Sequence, residues 1–326
     1  MAYSAGSIIL DDDYNTFATG SADGTPTQGT ANLNSVWGTT GTVDYGYGQS
    51  GDLATVTAGG TVTATQWANM LSRLTTIANH QGTTITPITT PNAGDVISAY
   101  AALSSNVTSV WSGKLNAAGN GTDNTVTSVN TATWDVSATN TLTVAFASAA
   151  QLRYFFNAGG NLRLSFSLTG GSDAKSIEWG DLLTQCGTIV VCGSATSKTI
   201  DSVTYTGTTK IGGGGTPTIL ATGTGAQDYT AVATTIFQQY ADTAPYTANY
   251  VRIQATISGS TITFSVLLQD DAVDTLTRPD GTDNSADDIV DGTLTGTATV
   301  RPPSTTYISD TWGSVTPSWA GWTVTS

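Results

Sequence analysis

The residues from Ser148 to Gly171 constrain the fold most, because a short amphipathic helix leads directly into an alternating strand. Ser148 and Gln151 have the spacing of a capping box, which starts a helix. Apolar residues then share one helical face: Leu152, Phe155 and Phe156. Gly159 or Gly160 can end that helix in the left-handed conformation. In the strand that follows, apolar residues alternate with polar ones: Leu162, Leu164, Phe166 and Leu168. The stretch predicts the core of the main domain.

Residues 249–269 predict an antiparallel hairpin. Two alternating apolar runs flank a Ser-Gly-Ser turn at 258–260: Val251, Ile253, Ala255 and Ile257 before it, and Ile262, Phe264, Val266 and Leu268 after it. Only 10% of residues are charged, so Thr, Ser, Asn and Gly must build the polar surface, as is typical of strands and turns. We therefore expect a mainly β fold with short helices (α+β). Its main part is an antiparallel β-sandwich or jelly-roll-like domain over residues 124–326, with short inserted helices.

Residues 1–60 carry aromatic side chains without a regular period, spaced among Gly and Thr: Tyr14, Phe17, Trp37, Tyr45 and Tyr47. This segment has too little apolar content for a core of its own. We expect an extended attachment arm whose aromatic residues are buried against neighbouring chains.

Residues 61–116 predict two helices that attach the chain or oligomerise it. Thr63 and Gln66 form a second capping box, and Gly82 is a helix terminator. A further helix over 93–111 carries a heptad-like seam. The seam either packs on the first helix as a hairpin, which is the default, or on copies of itself around a symmetry axis. The predicted interface residues are Trp67, Leu71, Val96, Tyr100, Leu103 and Val107. Residues 117–124 mark the expected domain boundary.

The net charge is −14 and the pI is about 4.1. Such acidity disfavours binding to nucleic-acid phosphates and to anionic membranes. The first residues lack the basic region of a signal peptide, and no run is long enough to span a bilayer, so we expect folding in a cytoplasm. Cys186 and Cys192 could meet across a strand end, but two buried thiols are the preferred interpretation.

The acidic segment 270–291 is the strongest candidate site, because oxygen-rich loops bind Ca²⁺. The proposed ligands are Asp280, Asp283, Asp287 and Asp288. The spacing is not that of an EF-hand, and a solvated acidic loop is the alternative. No other cofactor is predicted.

Three tryptophans near the C-terminus could form a flat platform for a sugar, or could equally cap the sheet or lie between subunits: Trp312, Trp319 and Trp322. Glu178 is the carboxylate a glycosidase site would use, although a surface position explains it as well. His80, the only histidine, ends a helix and lacks catalytic partners in the sequence. We find no catalytic constellation.

Two passages resemble virion structural proteins of tailed bacteriophages, notably those of marine and cyanobacterial hosts. One is 43–82, which contains DYGYGQS, QWANMLSRL and IANHQGT. The other is QLRYFFNAGGNLRLSFSLTGG, residues 151–171. The resemblance covers about a third of the chain and implies a tail-associated structural protein without catalytic residues.

The expected function is therefore a non-enzymatic virion component, most simply in the tail as baseplate, fibre or adhesion apparatus. A capsid decoration or neck protein is the alternative, and a carbohydrate-binding or carbohydrate-degrading protein is the alternative from another class. The expected partners are other virion proteins, further copies of the chain with a trimer favoured, and a host surface glycan, with no nucleic acid and no membrane. The chain would assemble in the host cytoplasm and reside in the virion.

Overall fold

A computed structural model describes residues 10–41, 44–90, 100–272 and 289–326. Its helices are α1 (Asp11–Thr19), α2 (Leu33–Trp37), α3 (Ala64–Gln81), α4 (Tyr100–Ser112), α5 (Ala149–Asn157) and α6 (Ala174–Cys186). Its first strands are β1 (Asn124–Asn130), β2 (Ser137–Ala145), β3 (Asn161–Thr169), β4 (Thr188–Val191), β5 (Lys198–Ile200), β6 (Val203–Tyr205) and β7 (Thr208–Ile211). The others are β8 (Ile219–Leu220), β9 (Thr234–Tyr240), β10 (Tyr250–Ser258), β11 (Thr261–Gln269), β12 (Thr293–Arg301), β13 (Thr316–Trp319) and β14 (Thr323–Thr325). Over these described ranges, no helix combines the length and apolar character that crossing a membrane would require.

The strands form two large antiparallel sheets and one small hairpin. The first sheet has five strands in the order β1-β12-β3-β4-β7. The second has seven strands: β13-β2-β11-β10-β9-β8, with β14 also pairing with β2. In the second sheet, Ile257 lies opposite Ile262 and Val251 opposite Leu268 across the turn. The predicted 249–269 hairpin is therefore confirmed in both strands and register.

The buried faces of both sheets contribute to one hydrophobic core. Leu162, Leu164 and Phe166 of β3 point into it from the first sheet. Val251 and Phe264 enter from the second, and each is fully buried. This confirms the mainly β, α+β fold, and two sheets that bury faces in one core are compatible with a sandwich.

The inserted helices begin and end where their capping residues predict. Thr63 accepts a hydrogen bond from the backbone N–H of Gln66, whose side chain bonds back to Thr63, so α3 starts with the predicted capping box. Ser148 accepts from the Gln151 backbone N–H at the start of α5. Gly159, with φ of 101°, is the left-handed residue after α5. Of the predicted second helix, residues 93–99 lie outside the described residues, and the described part is α4.

The predicted extended arm is wrong for residues 10–41 and 44–60. These residues include α1 and α2, and four of their five aromatic side chains are buried within the same chain: Tyr14 at 1% exposure, Phe17 at 4%, Tyr45 at 5% and Tyr47 at 0%. The fifth, Trp37, is half-buried. Most of them join the core that also contains the sheets. The segment has no core of its own, but its own chain supplies the apolar surface, so neighbouring chains are not required for its burial.

The segment expected to be a domain boundary also packs on the β-rich region. Ala117 pairs with Ile200, and Asn120 pairs with Pro303, through isolated bridges. Ala117 joins a small second core with Val190, Cys192 and Ile200, while the large core contains residues from both the predicted helical and β regions.

Buried amide side chains order the irregular segment that contains Leu53 and Val56. Asn15 donates to the Val56 carbonyl at 2.8 Å and accepts from the Val56 N–H at 2.9 Å. Asn34 forms the same two bonds with Leu53, at 3.0 and 2.8 Å. Each amide thereby satisfies one residue's backbone as a neighbouring strand would, so an irregular segment can be buried without unpaired polar groups.

Candidate functional site

The two passages singled out in the sequence, residues 43–82 and 151–171, meet in the structure. Residues 44–50, the DYGYGQS sequence, lie against α5, which begins the second passage. We call residues 44–50 and their contacts the joint. Asn157 of α5 donates its side-chain N–H to the Gly46 carbonyl at 3.3 Å. Just before the joint, Arg153 donates to the carbonyl oxygens of Gly41 at 2.9 Å and Thr39 at 3.0 Å. Side chains of α5 thus hold the loop through hydrogen bonds to the backbone carbonyls of the loop.

The tightest contact in the joint is between the Gly48 backbone and the Tyr154 ring of α5. The φ of Gly48 is 70°, which favours glycine, and a Cβ atom there would come closer than 3.0 Å to three atoms of the Tyr154 ring. Both the backbone conformation and the space therefore require a residue without a side chain. This explains the second glycine of DYGYGQS, Gly48, in physical terms.

His80 at the end of α3 forms the base of the joint. Its ring packs edge-on against Tyr47 with centroids 4.9 Å apart, and its Nε2 lies 3.0 Å from the Ala158 carbonyl oxygen. Gln81 donates to the Tyr47 hydroxyl at 2.9 Å. Burial lowers the pKa of His80 to about 4, so the ring is neutral at pH 7 and its Nε2–H donates to the carbonyl. These contacts support the structural interpretation of this histidine.

The joint also binds the C-terminal segment. The Gln49 side chain donates to the Ser309 carbonyl at 2.8 Å and accepts from the Ser309 N–H at 2.9 Å. Thr311 donates its hydroxyl to the Tyr47 carbonyl at 2.6 Å. Residues 44–50 therefore connect α3, α5 and residues 309–311, which are far apart in sequence.

The predicted interface residues belong to the core of a single chain. Trp67, Leu71, Leu103 and Val107 are at most 6% exposed, because α3 and α4 pack on one another and on the N-terminal helices. Tyr100 is half-buried, with its ring 5.2 Å from that of Phe17. Val96 lies outside the described residues. An intermolecular seam is therefore wrong for the four buried residues, and α3 packs against α4 as the default hairpin interpretation expects.

The C-terminal tryptophans cover the sheets instead of forming an open platform. Trp312 is 3% exposed and cannot stack on a sugar. The indole N–H of Trp319 donates to the Val126 carbonyl at 3.4 Å, and that of Trp322 donates to the Ser128 carbonyl at 3.1 Å. The predicted sugar platform is wrong for Trp312, and the contacts of the other two support the sheet-capping alternative.

The cysteines are two free, buried thiols, as preferred from the sequence. Burial raises the pKa of Cys186 to about 12 and that of Cys192 to about 11. Neither group is a reactive thiolate at neutral pH, because the thiolate form is suppressed. The predicted Ca²⁺ ligands Asp280, Asp283, Asp287 and Asp288 lie outside the described residues, so that site stays a prediction.

A polar cleft of about 500 Å³ opens between α3 and the loop after α2. The Arg73 guanidinium stacks 3.9 Å above the Trp37 ring and donates to the Gly51 carbonyl at 2.7 Å. Its second terminal nitrogen, Nη1, is buried and has no hydrogen-bond partner among the described residues. Burial lowers the pKa of Arg73, but an arginine remains charged. Asp52 and Asn69 add polar groups to the lining. Sequence reasoning missed this cleft because its residues carry no local motif.

Glu178 is not a surface carboxylate. It lies on α6 and is 8% exposed. Oxygen atoms of Glu178, Asp181 and Asp242 all lie within 4.8 Å of one another. The sequence singled out Glu178 but not its neighbours in space, because Asp242 follows β9 and is distant along the chain.

Comparison of the chain with protein-family models, with curated proteins and with solved structures found no match.

Proposed function

We propose that this chain is a non-enzymatic structural component of a tailed-phage virion, present in multiple copies and part of the tail. The joint is the observation that carries the proposal. The two passages that resemble virion structural proteins are separated in sequence but are bound to each other through residues 44–50, α3 and α5. Such packing is expected when both passages derive from one shared structural unit.

The chemistry of the described residues supports a structural role. His80 is 2% exposed and bonds to a backbone carbonyl, so it is unavailable as a general base. The thiols of Cys186 and Cys192 are buried. Many side-chain polar groups are bonded to backbone groups in loops, an arrangement that fixes shape.

The decisive experiment detects the chain in purified particles. Virions are banded on a density gradient, their proteins are quantified by mass spectrometry, and antibodies raised against the purified chain are applied for immunogold electron microscopy. We expect several copies per particle and gold on the tail. Gold label on the capsid or neck would contradict the tail placement and support a capsid decoration or neck protein. Absence of the chain from intact virions would overturn the virion assignment.

The same proposal includes a homo-oligomer, with a trimer favoured. Since Trp67, Leu71, Leu103 and Val107 are buried within one chain, the subunit contact uses other surface. Light scattering coupled to gel filtration measures the mass directly. A mass near 100 kDa, about three times the 33.4 kDa chain, supports the trimer, and a monomer at micromolar concentration contradicts it.

The cleft beside Arg73 favours carbohydrate binding as a second function. It combines carboxylate, amide and guanidinium groups, which can hydrogen-bond to the hydroxyl groups of a sugar. A glycan array tests this with Asn69→Ala, which changes the cleft lining. Asn79→Ala is the matched control, since Asn79 is exposed on the same helix but outside the lining. We expect binding that only Asn69→Ala weakens; equal binding by both variants would exclude the cleft.

A further inference from the structure

Three carboxylates converge where α6 meets the turn after β9. Glu178 and Asp181 are three residues apart on α6 and therefore share a face of the helix. Asp242 lies in the segment that joins β9 to β10. Oxygen atoms of the three side chains lie within 4.8 Å of one another. Asp181 and Asp242 are exposed, so the cluster opens to solvent on one side.

Glu178 supplies a second, independent observation. The residue is more than nine-tenths buried, at 8% exposure, and its Oε1 atom has no hydrogen-bond partner among the described residues. A buried, unpaired carboxylate oxygen destabilises a fold unless a ligand satisfies it. Burial raises the pKa of Glu178, and the charges of Asp181 and Asp242 raise it further, whereas hydrogen bonds from Thr243 oppose the change.

The described part of the chain provides no compensating cation. No lysine, arginine or histidine within these ranges forms an ion pair with any of the three carboxylates. The other polar contacts are neutral: Gln185 donates to Asp181 at 2.6 Å, and Thr243 donates to Asp242 at 3.3 Å. Three carboxyl groups are therefore held together by the fold with only neutral donors beside them.

We propose that Glu178, Asp181 and Asp242 bind a divalent cation, Ca²⁺, which links α6 to the β9–β10 turn. Ca²⁺ prefers oxygen ligands at about 2.3–2.6 Å, so oxygens up to roughly 5 Å apart can share one ion. Mg²⁺ binds at about 2.0–2.1 Å in a strict octahedron and spans a smaller cluster. Water completes the coordination on the exposed side. This site is separate from the predicted ligands in segment 280–288 and does not depend on the proposed virion function.

The experiment uses the purified full chain, freed of metal with a chelator that is then removed. CaCl₂ or MgCl₂ is titrated in calorimetry, and the thermal unfolding midpoint is followed in parallel. We expect saturable Ca²⁺ binding, a rise in the midpoint, and a weaker response to Mg²⁺. Asp242→Asn should weaken Ca²⁺ binding by on the order of tenfold or more, because one charged ligand is lost. Glu178→Gln should do the same.

Two controls make the result specific. Asp201→Asn removes an exposed aspartate outside the cluster and should leave Ca²⁺ binding unchanged. The double variant Asp283→Asn/Asp287→Asn tests the other acidic segment. Loss of binding in the cluster variants alone supports the site. Absence of Ca²⁺ binding by the unmodified chain would overturn it, as would binding that survives Asp242→Asn and disappears in the double variant. Because Asp242 is exposed, its variant tests the site even if Glu178→Gln fails to fold.

Discussion

Replacing Gly48 by alanine tests whether the joint is a packed contact. Gly48 has a φ of 70°, and its missing Cβ leaves space that the Tyr154 ring occupies. The left-handed conformation costs a residue with a Cβ about 1–2 kcal/mol. Displacing the ring adds roughly 1–3 kcal/mol of overpacking. We therefore expect Gly48→Ala to lower the free energy of unfolding by about 2–5 kcal/mol.

Gly51→Ala is the matched control. Gly51 has a similar φ of 78°, but nothing lies within 4 Å of the place that a Cβ atom would take there. Its alanine variant should lose only the conformational part, about 1–2 kcal/mol. The difference between the two variants isolates the steric contact with Tyr154.

Urea unfolding, followed by tryptophan fluorescence, measures both variants. When Tyr154→Ala is combined with Gly48→Ala, part of the stability lost in Gly48→Ala should be recovered. The coupling free energy between the two positions should be roughly 0.5–3 kcal/mol. Equal losses for Gly48→Ala and Gly51→Ala, or no coupling with Tyr154, would refute the packed joint.

Three further predictions concern buried groups. Burial lowers the pKa of His80 to about 4, against 6.5 for a free imidazole, so the free energy of unfolding should fall by about 3 kcal/mol as the pH drops from 6.5 to 4. The NMR signal of this imidazole should not titrate above pH 5. A titration midpoint near 6.5 would contradict the prediction. Lys175→Ala should cost about 3–5 kcal/mol in urea unfolding, because the buried Asp270 loses its ion-pair partner at 2.9 Å. Arg301→Ala breaks a partly exposed ion pair with Asp123 and should lower the free energy of unfolding by less than about 1 kcal/mol. Equal losses of stability in the Lys175→Ala and Arg301→Ala variants would contradict the prediction. Leu103→Ala should lower the free energy of unfolding by about 2–5 kcal/mol without changing the mass measured by light scattering. Dissociation of the oligomer in this variant would indicate that Leu103 lies in a subunit interface.

The elements that could be predicted from the sequence are those whose signal is local. The α3 capping box and the period-2 pattern of β10 and β11 specify their own structure. The N-terminal helices were missed because the sequence of α1, DDDYNTFAT, is polar and short, and its burial comes from residues elsewhere in the chain. The same reason explains the wrong assignment of the arm: an apolar residue does not encode whether its partner is in the same chain.

The candidate sites show the same limit. Glu178 could be singled out because it is the only glutamate, but its environment depends on Asp242, which the β9–β10 connection brings beside α6. The Arg73 cleft depends on a loop that folds back after α2. Convergence of distant residues follows from topology, and no motif in the sequence records it.

Amide side chains explain how a chain with 10 Lys and Arg residues fixes so much irregular structure. Asn106 pairs with both backbone groups of Thr86 at 2.8 Å, as Gln49 does with Ser309. With Asn15 and Asn34, this makes four buried amides that each satisfy the N–H and the carbonyl of one distant residue. Such pairs carry no net charge, so their strength depends little on salt, unlike exposed ion pairs, which salt screens. A loop-rich chain held in this way keeps its shape across ionic conditions. The same bonds explain how segments without an apolar core of their own are held against a core that lies elsewhere in the chain.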